Sequence, residues 1–131
     1  MSQYYDHDLQ FEAAADLVAH RLVKLTGDRT VNYLAEADDL DDPIGVTMHD
    51  VDSGDMVFVR DIKAAGTLMV TAAGEIASVN TLVAPAADGK VDAVGATASE
   101  KVIGRAIETA SGDGAIIEAR LNTRIDTRDL S

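Results

Sequence analysis

The chain contains no cysteine and no tryptophan. Without cysteine, no disulfide and no thiolate metal site can hold the fold, and the redox compartment is left open. Aromatic residues make up 4% of the chain, so a core has to be assembled mainly from Val, Ile, Leu and Ala. No apolar run approaches the ~20 residues that a helix needs to cross a bilayer. The N-terminus, MSQYYDHD, is acidic and polar where a signal peptide needs a basic and then an apolar stretch, so none is expected. Basic residues are scarce: 4 Lys and 7 Arg stand against 17 Asp and 6 Glu, for a net charge of −12. That balance argues against a direct nucleic-acid partner, which requires a basic face. Such a surface repels itself in dilute buffer and is screened as salt rises, the Debye length falling to about 3 Å at 1 M. Two readings stand side by side: a salty medium, marine or halophilic, with a melting temperature that climbs towards ~1 M NaCl, or an ordinary acidic soluble protein.

Signatures of catalysis are also missing. The sequence has no G-x-S-x-G elbow, no G-x-x-x-x-G-K-[ST] phosphate loop and no G-x-G-x-x-G turn.

What the sequence does contain is one pattern written twice. Residues 43–62 read PIGVTMHDVDSGDMVFVRDI and residues 102–121 read VIGRAIETASGDGAIIEARL. Each opens on an Ile-Gly pair (Ile44-Gly45, Ile103-Gly104) and runs through a strand-like segment. Each then reaches a Ser-Gly-Asp turn (Ser53-Gly54-Asp55, Ser111-Gly112-Asp113) and a second apolar run, with one extra residue near Asp52 between the two registers. Gly and Asp supply turn geometry and the flanks supply a buried face, so each copy reads as a β-hairpin. Within the copies, Met48, Met56, Phe58, Ile107 and Ile116 are expected to serve the core.

Elsewhere, Leu22–Leu25 and Thr30–Leu34 flank the turn Thr26-Gly27-Asp28-Arg29, with Val31 and Tyr33 on one face. FEAAADLVAH (11–20) is ambiguous, its Ala content favouring helix and its continuation favouring strand. ADDLDDP (37–43) is a solvated acidic loop that stops a strand. Further turns are expected at Ala73-Gly74 and Asp88-Gly89. Turn signals about every 8–12 residues, with no long helical patterns between them, indicate an all-β protein. The expected fold is a small β-barrel or β-tulip-like sandwich built from hairpins, with an extended N-terminal arm. Residues 1–10 form the arm, 11–121 a single β domain and 122–131 a polar tail.

Candidate chemistry is thin. Asp50-Val51-Asp52-Ser53-Gly54-Asp55 faintly resembles a calcium loop, but Asp55 stands where that loop needs Gly and Asp61 where it needs Glu. His7, His20 and His49 are scattered, and the pairs Asp38/Asp39 and Asp41/Asp42 lie in a loop with no apolar wall to raise a pKa. A biotinyl or lipoyl carrier would present a modifiable Lys at a hairpin tip, for which Lys90 after Asp88-Gly89 is the nearest candidate. No catalytic, cofactor-binding or metal residue is expected.

The order of these pieces resembles the bacteriophage capsid cement, or head decoration, family. The residues that carry the resemblance are Phe11–Leu25, Gly27 and the Val31 strand, Asp42-Pro43-Ile44-Gly45-Val46 and Ser53-Gly54-Asp55-Met56-Val57. It continues through Leu82–Val91, Val102-Ile103-Gly104-Arg105-Ala106 and Ser111-Gly112-Asp113-Gly114, and covers roughly residues 11–121. The chain departs from the family at Ser78-Val79-Asn80, where similar proteins more often place a Gly-Asp turn. The resemblance implies a non-enzymatic protein on the outer surface of an icosahedral head, often a trimer, with the major capsid protein as partner and neither nucleic acid nor membrane in contact. It implies bridging of neighbouring capsomers against the pressure of packaged DNA. The arm is the expected capsid contact through Tyr4, Tyr5, Leu9 and Phe11, since aromatic residues are favoured at interfaces. The alternative is a β-barrel surface-binding or adhesion module that recognises a carbohydrate or host surface.

Overall fold

A computed structural model describes residues 8–34, 43–62, 67–94 and 100–128. It is all-β. The first five strands are β1 (Asp8–Ala13), β2 (Leu22–Gly27), β3 (Thr30–Tyr33), β4 (Gly45–Thr47) and β5 (Met56–Asp61). They close into a barrel in the order β1-β3-β2-β4-β5. The next five are β6 (Leu68–Thr71), β7 (Leu82–Pro85), β8 (Val91–Ala93), β9 (Glu100–Ala106) and β10 (Ile116–Arg128). They form a second sheet in the order β6-β10-β9-β7-β8.

The duplication extends well beyond the hairpin that the sequence displays. Antiparallel β1–β5 is matched by β6–β10, β2–β3 by β7–β8, β2–β4 by β7–β9, and β4–β5 by β9–β10. The parallel β1–β3 pair, which seals the barrel, is matched by the parallel bridge Ala72–Val91. The bridge Leu17–Val51 has its counterpart in Ile76–Ala110. Closing strands in this way leaves few unpaired edges to template aggregation.

Local chemistry fixes the two halves alike. A Cβ on Gly45 would lie 2.1 Å from the Arg60 carbonyl oxygen, and one on Gly104 would lie 2.0 Å from that of Arg120. Both glycines therefore permit a strand-to-strand approach that no side chain allows. Gly54 and Gly114 have φ of 90° and 93°, and their N–H groups donate to the carbonyls of Ala13 and Ala72. The structural partner of Gly54 is thus Gly114. The expected Ser-Gly-Asp alignment is shifted, because Ser111 is the extra residue and the closing turns are 52–55 and 112–115. His20 and Asn80 both adopt positive φ, 64° and 67°, and their N–H groups donate to Thr47 and Ala106. Asn80 thereby closes the connection that Ser78-Val79-Asn80 had put in question, since Asn tolerates the left-handed region without a Gly.

Two apolar clusters result. One fills the barrel with Phe11, Ala13, Leu17, Val23, Val31, Val57 and Val59. The other fills the second half and takes in Leu22, Leu34, Val46 and Ile62 from the outside of the barrel. The start of β2 is therefore buried on both faces, with Val23 inward and Leu22 against the neighbouring half. Each such aliphatic side chain contributes about 1.5–3 kcal/mol on burial.

Several expectations are corrected. FEAAADLVAH, open between helix and strand in the sequence, is strand through Ala13 and then a bridge at Leu17, because pairing with β3 and β5 overrides the helix propensity of its alanines. β1 starts at Asp8, so residues 8–10 of the expected arm belong to the barrel. β10 runs to Arg128 and pairs with β9 beyond an irregularity between Leu121 and Asp126, so residues 122–128 of the expected tail are strand. The acidic stretch 37–42, Tyr4, Tyr5 and His7 lie outside the described residues.

Candidate functional site

Met48, Met56, Phe58, Ile107 and Ile116 are all exposed, and the expectation that they serve the core is overturned. In β5 the alternation buries Val57 and Val59 and turns Met56 and Phe58 outward. An M-V-F-V run is apolar on both faces, so hydrophobicity could not say which face points in. Met48 continues the outward row, its N–H donating to the Phe58 carbonyl, and His49 meets the Phe58 ring edge-on. Met48 also lines a groove at the seam between the halves, together with His20, Val46, Thr47, Arg60, Thr67, Leu68 and Met69. Three of the chain's four methionines, and one of its two phenylalanines, are thus exposed. Met is an adaptable contact residue and exposed apolar patches mark interaction surfaces. The concentration of Met in this one stretch was the available sequence signal.

The His49 imidazole is held in place, with Nε2 accepting the Phe58 N–H at 3.1 Å and Nδ1 lying 2.9 Å from the Asp50 carbonyl oxygen. Asp50 and Asp16 serve the backbone, accepting the N–H groups of Ala19 and Ser53 at 2.9 and 2.8 Å. Among the described residues no three His, Asp or Glu side chains gather as a metal site. Lys90, the carrier candidate, donates to Asp113 at 2.8 Å and ties the β7–β8 turn to the β9–β10 turn. That hydrogen bond and the lysine's charge hold the Asp113 carboxyl below the usual range.

The expected contact residues divide. Phe11 is only 5% exposed and lies in the barrel core, with the Arg29 guanidinium 5.2 Å from its ring centroid. Leu9 is half-buried against the same cluster.

Two equivalent grooves open at matching places in the halves. The first is lined by Leu17, Val18, Val51 and Met56 with His49 and the carboxylates of Asp16, Asp50, Asp52 and Asp55. The second is lined by Ile76, Ala77, Ala110, Ala115 and Ile116, with Glu75 its single carboxylate.

The fold defines a duplicated all-β protein that leaves Met48, Met56, Phe58 and Met69 exposed. The phage cement protein family matches residues 3–121, and the chain belongs to that family. No curated protein matches the chain. Among solved structures, the head fiber gp8.5 N base of bacteriophage phi29 is similar, with a TM-score of 0.71 and 24% sequence identity over 95% of this chain and 97% of that one. That likeness concerns the fold. The chain is thus a phage structural protein associated with the capsid.

Proposed function

We propose that this protein is a capsid decoration protein that binds the outer surface of an icosahedral head through the major capsid protein. It bridges neighbouring capsomers as a homotrimer and stabilises the shell against the pressure of packaged DNA. The observation that carries this reading is the match to the cement family over residues 3–121. The mechanism is multivalent: once one subunit of a trimer is seated, the others bind at high effective concentration. A chain that binds only the filled, expanded shell would stabilise that state by mass action.

The arm is the proposed shell contact. With Phe11 in the core as the anchor of β1, contact falls to Tyr4 and Tyr5 beyond Leu9. The outward row of Met48, Met56 and Phe58 adds apolar area to it. Co-sedimentation of purified chain with purified heads tests the reading. Saturation at a fixed ratio, weakened by deletion of residues 2–10, is expected. Absence of binding to heads would overturn the decoration role, and undiminished binding after the deletion would overturn the arm.

A further inference from the structure

The two halves treat one face differently. On the barrel this face comprises Leu22, Leu34, Val46 and Ile62, all buried in the cluster of the second half. β6 and the turn Ala87–Gly89 seal it. Thr71 N–H and Oγ1 both donate to the His20 carbonyl at 2.9 Å, Gly89 N–H donates to that of Leu34 at 2.9 Å, and Arg21 Nη1 donates to that of Asp88 at 3.0 Å.

Strand register identifies the same face on the second half. Leu22 opposite Val46 corresponds to Leu82 opposite Arg105, and Val46 opposite Arg60 corresponds to Arg105 opposite Arg120. The bond from Leu34 N–H to the Leu22 carbonyl corresponds to that from Val94 to Leu82. Here Leu82 and Val94 are half-buried, while Arg105, Arg120 and Ile107 are exposed. Two arginines thus stand directly opposite one another in a chain of net charge −12, and like charges at opposed positions destabilise a sheet.

The elements that seal the barrel face have their own counterparts on the barrel. Register makes Gln10 and Glu12 the equivalents of Met69 and Thr71, and Asp28 the equivalent of Asp88 in a turn of equal length. All three are exposed.

We infer that the open face of the second half receives the β1 side and the β2–β3 turn of a second copy, repeating between molecules the seam that joins the halves within one. Arg105 and Arg120 meet Glu12 and Asp28 of the neighbouring copy, and Ile107 faces Gln10 as Met48 and Met69 together line the internal groove. The contact is head-to-tail, so it closes into a ring when the rotation between copies allows. This inference rests on the proposed self-assembly of the chain and supplies its seam.

Sedimentation velocity of the full chain near physiological salt tests it. Wild type is expected to associate, Arg105→Glu with Arg120→Glu to weaken association by about tenfold or more, and Glu12→Arg with Asp28→Arg to do the same. The four changes in one chain are expected to restore it, with circular dichroism confirming each fold. In the cysteine-free background, Gln10→Cys with Ile107→Cys is expected to give disulfide-linked oligomers that neither single variant forms as a ladder. An oligomeric wild type indifferent to the reversals would overturn this seam while leaving self-assembly standing. A monomeric wild type at all concentrations would overturn both.

Discussion

The barrel and the second sheet share one plan of pairings and differ in what they do with their surfaces. Residues that shape the backbone recur in both: Gly45 with Gly104, Gly54 with Gly114, and the left-handed His20 with Asn80. Residues that face outward have diverged. The Phe58 N–H is received by the His49 imidazole, and in the other half the same slot holds Glu118 N–H on the Glu108 carboxylate at 2.7 Å. The sealed Leu22–Val46 pair of one half is the partly open Leu82–Arg105 pair of the other. A fold can therefore be copied through a small set of steric requirements while its contact surfaces change freely.

The largest test of this equivalence is Gly45→Ala against Gly104→Ala. Each places a Cβ within about 2 Å of a carbonyl oxygen, and each is expected to cost about 3 kcal/mol or more in chemical denaturation. Tolerance at one site alone would break the correspondence. Next, Leu22→Ala is expected to lose about 2–5 kcal/mol, because that side chain is fully buried in the seam, and Leu82→Ala roughly 1 kcal/mol. Equal losses in the monomer would mean that the two faces are covered alike.

Salt acts on both halves together. With a charge of −12, the melting temperature is expected to rise by several degrees between low salt and ~1 M NaCl, and a flat or falling profile would remove the salty-habitat reading. Phe58→Ala is expected to change stability by less than ~0.5 kcal/mol while weakening head binding, because the ring is 42% exposed. The smallest effect belongs to Lys90→Met. Its expected signature is the Asp113 carboxyl titration, followed by NMR, returning upward to the ordinary range once the lysine charge and hydrogen bond are gone. Because pairing lowers this carboxyl's folded value, its slight stabilisation is present above the ordinary carboxylate range and fades as pH falls through the lowered value.

Hairpins were legible from turns and flanks: the hairpin 22–34 and the Asp88-Gly89 turn lie where Gly, Asp and alternating apolar residues put them. The repeated unit pairs as a hairpin in both halves, although its Ser-Gly-Asp alignment is shifted. The whole-chain duplication was not legible. Its other partners, such as Ala13 with Ala72 or Leu17 with Ile76, are common apolar residues that only hydrogen-bond register can match. The facing of β5 was hidden for a related reason, since both of its faces are apolar. Phe11 read as an interface aromatic because it neighbours the Tyr pair, whereas its place in the β1 alternation makes it core.

Cryo-electron microscopy of virus particles that carry this chain would test the central claim most directly. Density for it is expected on the outside of the head, at fixed stoichiometry, with the Arg105–Arg120 face of each copy seated on the β1 side of its neighbour. Particles without such density, or isolated copies with that face open to solvent, would contradict that claim.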